Sequence, residues 1–220
     1  MVASSVQRIK SEVKAADITI GRGGRAVKRT IDVVGSFMLI VLMTPLIITL
    51  GILVRTIEGS PVLHRRRVIG PKGEFDAFKL RTMRVDADEI LRSNPDLQRR
   101  FEGSFKLQDD PRVTRLGALL RKASLDELPQ LWNVLRGQMS LVGPRMITPA
   151  EREKYGEAQR VFRQFKAGLT GYWQIHGRQA TSYAQRVEMD LFYARHWSLF
   201  LDLEILAKTP LAVFRGAGAY

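Results

Sequence analysis

The feature that most constrains this chain is an uncharged, largely apolar stretch from Val33 to Val54. As a straight helix it would measure roughly 33 Å, which matches the ~30 Å hydrocarbon core of a bilayer. A stretch of this length and composition is typical of a helix that inserts into lipid. We therefore expect a membrane anchor near the beginning of the chain, with the remainder folding outside the hydrocarbon.

Pro45 lies near the centre of this stretch and removes the backbone hydrogen bond to the Val41 carbonyl. The Thr44 hydroxyl can bond the Ile40 carbonyl instead, which makes a bend tolerable in lipid. Both flanks are basic, so both satisfy the positive-inside rule for the cytoplasmic side. The basic residues are Arg22, Arg25, Lys28 and Arg29 before the stretch, and Arg55, Arg65, Arg66 and Arg67 after it.

A helix that enters the membrane, breaks at Thr44-Pro45 and returns places both basic flanks on one side. An ordinary kinked transmembrane helix is the alternative, because proline permits that as well. We predict the first arrangement, with three parts in the chain: a flexible leader over residues 1–27, a re-entrant membrane helix over residues 28–58, and a globular domain over residues 59–220.

The charge balance indicates anionic partners. The formal net charge is +13 and the sequence pI is near 10.5, which suits nucleic acid, phosphorylated substrates or anionic lipid. The chain carries no recognised nucleic-acid-binding motif, and its apolar stretch needs lipid, so we expect no nucleic-acid partner. With no cysteine there is no disulfide or thiolate metal site, and His64, His176 and His196 are too scattered for a zinc spacing.

The stretch from Ala123 to Arg145 holds an adjacent acid pair, Asp126-Glu127, before the apolar positions of a predicted helix. A carboxylate pair among cations suits chemistry on phosphates, where the cations hold the substrate and a carboxylate attacks or carries a metal. A second reading is structural: Ser124 and Glu127 have capping-box spacing, and Asp126 could itself cap the helix. The residues alone leave both readings open. The neighbouring cations are Arg115, Arg121, Lys122, Arg136 and Arg145, and the apolar positions are Leu128, Leu131, Trp132 and Leu135.

Three further segments carry structural predictions. Residues 61–83 predict a β-hairpin around Gly70-Pro-Lys-Gly73, and strand alternation puts Lys79 and Arg81 on one face. Residues 148–165 predict surface helices. Residues 199–214 are apolar but charged at three positions, which favours an interfacial helix anchored by Trp197 and Phe200, with core packing as the alternative.

Three ordered segments resemble the signature of the bacterial sugar transferases, the monotopic phosphoglycosyl transferases that act on polyprenyl phosphate. They are Ser124-Leu-Asp-Glu-Leu-Pro-Gln130, Asn133-Val-Leu, and Met139-Ser-Leu-Val-Gly-Pro-Arg145. The resemblance runs from about Lys28 to the C-terminus. It implies an α/β, monotopic membrane protein with a re-entrant broken helix, a small β-hairpin or sheet and several amphipathic interfacial helices. It also implies a location at the bacterial inner membrane, with the catalytic domain on the cytoplasmic face.

The activity that the resemblance implies is transfer of a sugar-1-phosphate from a UDP-sugar to a polyprenyl phosphate, with release of UMP. Asp126 would be the nucleophile of a phosphosugar-aspartyl intermediate, and Asp126 and Glu127 would hold Mg²⁺. The implied substrate-binding residues are Lys79, Arg81, Arg121, Pro144, Arg145 and Arg178. The chain departs from the family pattern at Thr44 (usually Ser), Met146 (usually Pro) and Ala167 (usually Pro).

The partners implied are a UDP-sugar, a polyprenyl phosphate, membrane lipid and a possible second copy of the chain. A non-catalytic basic membrane scaffold is the alternative from another class. It would explain the anchor and the charge, but it gives the acid pair no task beyond capping. That alternative predicts unchanged function after Asp126→Asn.

Overall fold

The computed structural model describes residues 20–104, 107, 109–176 and 182–214. Within them the protein is a mixed α/β unit preceded by one long apolar helix, as the sequence predicts. Its elements are, in chain order, α1 (Arg22–Ile57), β1 (Leu63–Gly70), β2 (Gly73–Leu80), α2 (Ala87–Ser93), α3 (Pro95–Ser104), α4 (Arg115–Lys122), α5 (Gln130–Leu135), β3 (Ser140–Val142), α6 (Arg152–Tyr155), α7 (Val161–Gln164), β4 (Gly168–Thr170), α8 (Tyr172–His176), α9 (Tyr183–Arg195) and α10 (Leu199–Phe214). Short 3-10 turns cover Leu125–Glu127, Pro149–Glu151 and Gly156–Arg160.

Helix α1 is continuous through Pro45, so the predicted interruption at Thr44-Pro45 is wrong as a break in helical structure. Thr44 Oγ1 donates to the Ile40 carbonyl at 2.7 Å, as expected, and supplies a local hydrogen bond beside the proline. The helix begins at Arg22, earlier than the predicted start at residue 28. Among the described helices, α1 is the one long and apolar enough to cross a membrane.

The N-terminal arm of α1 is fixed to the globular part by buried polar contacts. Lys28 Nζ lies 2.6 Å from Asp202 Oδ2 of α10 and 2.8 Å from the Val142 carbonyl. Asp32 accepts hydrogen bonds from Ser140 Oγ and the Leu141 N–H, at 2.9 and 2.8 Å. The polar side chains of this arm therefore attach α1 to β3 through hydrogen bonds.

The other end of α1 contacts the same globular part through apolar side chains. Leu50 and Val54 are buried in a cluster with Leu80 of β2 and Leu120 of α4. Leu128 packs against this cluster and also against the main core, so the two clusters adjoin. Between the two ends, α1 exposes a row of large apolar side chains, including Phe37, Met38, Val41 and Leu42.

The predicted hairpin is confirmed. Strands β1 and β2 pair antiparallel, with Gly70 opposite Gly73 across the turn. The Phe78 N–H donates to Asn133 Oδ1 at 3.0 Å, and Asn133 Nδ2 donates to the Asp76 carbonyl at 2.8 Å. These two bonds hold α5, and with it the acid pair just before it, against β2.

Strands β3 and β4 form a short parallel pair, in which Ser140 lies opposite Gly168. The backbones approach closely just beyond it: a Cβ added to Gly168 would lie 2.2 Å from the Gly143 nitrogen. Glycine is therefore required at this contact. The contact brings the Gly143–Arg145 segment beside the loop that leads into α8.

The main core lies between the hairpin, β3, β4 and α9. Short helical turns occur over residues 148–165, as predicted, and apolar side chains of these turns, including Tyr155, Phe162 and Phe165, are buried in this core. The alternation of charged and apolar residues there reflects short helical turns with one buried side. In α10 the two predicted anchors differ: Phe200 is exposed, whereas Trp197 packs against Phe165 and donates to Asp202.

Candidate active site

A 3-10 turn, rather than the start of a helix, positions the acid pair. Ser124 follows α4 with a left-handed backbone (φ 55°), the turn spans Leu125–Glu127, and α5 begins only at Gln130. Ser124 makes no side-chain cap hydrogen bond, so the capping-box reading is wrong. Pro129 sits just before α5, where its missing N–H costs no helical hydrogen bond. The carboxylates of Asp126 and Glu127 are thereby free for other partners.

Lys79 of β2 faces both carboxylates. Its Nζ lies 3.7 Å from Asp126 Oδ2 and donates a hydrogen bond to Glu127 Oε1. The Asp126 side chain is 7% exposed and that of Glu127 is 30% exposed. The pair thus consists of one buried and one partly exposed carboxylate that share a single ammonium group.

The environment separates the acidities of the two carboxylates. Burial raises the pKa of Asp126, and the charge of Lys79 only partly offsets this rise. Desolvation also acts on Glu127, but the charge and hydrogen bond of Lys79, with the charges of Arg145 and Arg66, lower its pKa. Two carboxyl groups whose pKa values are pushed apart in this way are a common arrangement in active sites.

Arg121 of α4 lies within electrostatic range of both carboxylates. Its Nε donates to Thr82 Oγ1 at 2.9 Å, which fixes the guanidinium beside the end of β2. Nearby, Asp110 accepts two side-chain hydrogen bonds and one backbone hydrogen bond from Arg112. Asp110 therefore closes a turn through these bonds to Arg112.

Arg81 does not join the acid pair. Its guanidinium donates to the Glu58 and Gly59 carbonyls, at 2.6 and 3.0 Å, just beyond the C-terminal end of α1. Among the described residues Arg81 forms no ion pair with either carboxylate, and the carbonyl groups at the C-terminal end of α1 attract its guanidinium.

Arg145, three residues beyond the end of β3, acts on Glu127 through its charge. Its backbone N–H donates to Asp190 Oδ1 at 3.1 Å, and its guanidinium carbon lies 4.9 Å from the centre of the Trp173 ring. Pro144 is buried behind it and its carbonyl accepts from the Gly168 N–H at 2.9 Å. The remaining predicted contact, Arg178, lies outside the described residues.

The sequence alone predicted no individual role in the site for four residues near Arg145. Arg66 was considered only as part of a basic flank, yet it pairs with Glu151 at 3.4 Å and acts on Glu127. Glu151 had a sequence signal, the Thr148-to-Glu151 capping box that the structure contains. Trp173 lies in the segment between Ala167 and Arg178 that the family resemblance covers. Arg186 had no sequence signal, because only folding brings α9 to this place.

Asp126 and Glu127 suit a hard divalent cation. No group of three or more His, Cys, Asp or Glu side chains that could hold a metal occurs in the described part of the chain. Mg²⁺ commonly binds through one or two carboxylates, with the remaining ligands supplied by substrate phosphates and water. The Asp126–Glu127 pair therefore fits Mg²⁺ bound together with a phosphorylated substrate, and it does not fit a cage made wholly of protein ligands.

Comparison with known proteins gives a consistent result. A family model described as bacterial sugar transferase matches residues 23–216. The exopolysaccharide production protein ExoY of Rhizobium meliloti is 46% identical over 203 residues, which cover 90% of this chain and 89% of that protein. The UDP-galactose-lipid carrier transferase of Erwinia amylovora is 43% identical over 200 residues, covering 89% of this chain and 42% of the relative.

A more distant relative has a different sugar in its name. The UDP-glucose:undecaprenyl-phosphate glucose-1-phosphate transferase of Escherichia coli is 33% identical over 214 residues, which are 93% of this chain and 44% of the relative. The chain thus spans most of the length of ExoY and less than half of the length of the two named transferases.

Proposed function

This chain belongs to the bacterial sugar transferase family, and from that premise we propose that it transfers a sugar-1-phosphate from a UDP-sugar to a polyprenyl phosphate and releases UMP. The names of the relatives support both substrates, since they include a UDP-sugar donor and an undecaprenyl-phosphate acceptor. The observation that carries the proposal is the buried Asp126 carboxylate, held beside Lys79 and Arg121.

In the first step, an Asp126 oxygen attacks the phosphorus that carries the sugar. The bond from that phosphorus to the bridging oxygen breaks, and UMP leaves with the bridging oxygen and its electron pair. In the second step, an oxygen of the polyprenyl phosphate attacks the same phosphorus and the Asp126 carboxylate is released. Burial favours this role, because a poorly solvated carboxylate has less water to lose before it attacks.

The cations beside Asp126 make the approach of two anions possible. Lys79 and Arg121 offset the repulsion between the carboxylate and a diphosphate, and a guanidinium can grip a phosphate through two parallel hydrogen bonds. Lys79 also keeps Glu127 ionised through their hydrogen bond. Mg²⁺, which Asp126 and Glu127 would hold, supplies neutralisation of charge on the phosphate oxygens when bound.

We further propose that α1 is re-entrant, at the cytoplasmic face of a bacterial inner membrane. Both ends of α1 contact one globular unit, through Lys28 and Asp32 at one end and Leu50 and Val54 at the other. A helix that crossed the bilayer would separate its ends by a hydrocarbon layer of ~30 Å. The exposed apolar row of α1, and the exposed Phe200, Leu203 and Phe214 of α10, support contact with lipid.

The proposed activity is tested with the purified chain in detergent, undecaprenyl phosphate and a panel of UDP-sugars that includes UDP-galactose and UDP-glucose. We expect UMP release and a lipid-linked sugar phosphate with at least one donor, and loss of both products in Asp126→Asn. A basic membrane scaffold would give no product with any donor. Product formation that Asp126→Asn leaves intact would remove the role of the carboxylate.

A further inference from the structure

Three buried nitrogen atoms without hydrogen-bond partners meet around Trp173. They are Nε of Arg145, Nε of Arg186 and Nε1 of Trp173 itself. The two guanidinium carbons lie 4.9 and 5.1 Å from the centre of the Trp173 ring. Arg186 is 7% exposed and Trp173 is 9% exposed, so bulk water has little access to these donors.

Neither guanidinium has a carboxylate within ion-pair distance among the described residues. Arg186 contacts the rings of Trp173 and Tyr183, and the Arg145 guanidinium contacts the ring of Trp173. Burial, and then the charge of Arg145, lowers the pKa of Arg186. A buried cation that faces another cation is unfavourable unless an anion completes the site.

The nearest carboxylates are already engaged elsewhere. Glu151 accepts from Thr148 in its capping box and pairs with Arg66. Asp190 uses one oxygen for the Arg145 N–H and the other for the Tyr155 hydroxyl. Neither can therefore serve as the missing anion without giving up a contact that holds the local fold.

The cluster also has a defined relation to the acid pair. The charges of Arg145 and Arg66 act on Glu127, and the charge of Arg121 acts on both carboxylates. The acid pair is therefore within electrostatic range of Arg121 and also of Arg145, a member of this cluster. Phosphoryl transfer needs separate cationic support for the transferred phosphoryl group and for the group that leaves.

We propose that Arg186, Arg145 and the indole N–H of Trp173 form a phosphate subsite that holds the nucleotide phosphate, the group released as UMP. This inference rests on the proposed function. Arg186 and Trp173 are the new members of the site. The nucleotide and the polyprenyl acceptor both carry phosphate, and the experiment below distinguishes these two sources.

Ligand binding to the purified chain in detergent tests this subsite directly. UMP, inorganic phosphate and farnesyl phosphate are titrated by calorimetry into the wild type, Arg186→Gln, Arg186→Lys and Trp173→Phe. Arg99→Gln is the control, because Arg99 is exposed and pairs only with Asp96 among the described residues. We expect Arg186→Gln to weaken UMP at least tenfold, Trp173→Phe to weaken it less, and inorganic phosphate to compete with UMP. Farnesyl phosphate should be unaffected.

Unchanged UMP affinity in both Arg186→Lys and Trp173→Phe overturns the subsite even if Arg186→Gln fails to fold. Loss of farnesyl phosphate binding with UMP binding intact would assign the subsite to the lipid phosphate and overturn our assignment. Arg186-dependent UMP binding without transfer from any UDP-sugar supports the subsite and counts against the proposed reaction. Sugar-phosphate transfer by the wild type, together with UMP affinity that Arg186 substitutions leave unchanged, supports the proposed reaction and overturns the subsite.

Discussion

Lys79 Nζ lies 3.7 Å from Asp126 Oδ2, beyond hydrogen-bonding range and close enough for its charge to act on the carboxylate. The same ammonium donates to Glu127, so it stabilises one carboxylate by contact and the other at a short distance. The result is a pair in which Glu127 stays ionised while burial raises the pKa of Asp126. Lys79 therefore stabilises the ionised form of Asp126, the proposed nucleophile, less than that of Glu127.

Removing the Lys79 charge should therefore shift the pH profile of transfer. Lys79→Met takes away a charge that lowers the pKa of Asp126, so that pKa rises. Since the ionised carboxylate attacks, we expect the acid limb of kcat/KM to move to higher pH, with the largest loss of activity at low pH. Lys72→Gln, in the turn of the same hairpin, is the control. A lower rate with an unmoved acid limb would contradict this role of Lys79.

The buried pair of Lys28 and Asp202 should dominate the attachment of α1 to α10. Asp202→Asn leaves the Lys28 ammonium without its anion, which typically costs about 3–5 kcal/mol for a buried pair. We expect a clear fall in the melting temperature in detergent. Glu204→Gln, which removes an exposed pair on the same helix, should change little. Equal falls in melting temperature for the two substitutions would show that the buried Lys28–Asp202 pair stabilises the fold no more than the exposed pair does.

Asp190 should make stability depend on pH. Burial raises the pKa of Asp190 to about 7, from an ordinary value of 3.8. Between these two pH values the carboxyl is protonated in the folded protein and ionised in the unfolded chain. The protonated Asp190 contributes fully to the free energy of unfolding below pH ~4. This contribution is lost as the pH rises to about 7, and the loss is on the order of 4 kcal/mol. Asp190→Asn keeps the shape and should flatten that part of the profile. Thermal unfolding between pH 5 and 8 measures the slope, and parallel slopes in the two proteins would refute the assignment.

The topology of α1 can be tested with single cysteines, because the chain has none of its own. Arg25, in the first turn of α1, and Arg65 of β1 are exposed and lie before and after the apolar stretch. In sealed vesicles, Arg25→Cys and Arg65→Cys should react with a membrane-impermeant maleimide from the same side. Reaction from opposite sides would mean that α1 crosses the bilayer.

Much of this fold could be predicted because its signals are local. The apolar stretch predicted α1, and the turn from Gly70 to Gly73 predicted the hairpin. The Thr44 hydroxyl donates the predicted hydrogen bond to the Ile40 carbonyl. Helix α10 spans the predicted apolar segment, Leu199–Phe214. Each of these depends on residues close together in the chain, where periodicity and turn chemistry apply.

The site was only partly predictable, because tertiary contacts complete it. Lys79 and Arg121 lie near the acid pair as expected, but Arg81 turns to the end of α1. The 3-10 turn at Asp126 depends on the left-handed backbone of Ser124, which helical periodicity cannot reveal. Arg186 and Trp173 come together only after α8 and α9 pack.

The central claim is that Asp126 forms a covalent phosphosugar intermediate. The most direct measurement is exchange of labelled UMP into UDP-sugar by the purified protein with no polyprenyl phosphate present. We predict exchange in the wild type, because the first half-reaction is complete without the acceptor, and none in Asp126→Asn, because an amide cannot act as the nucleophile. Exchange that strictly requires the lipid would contradict the account and would indicate direct attack by the polyprenyl phosphate on the UDP-sugar.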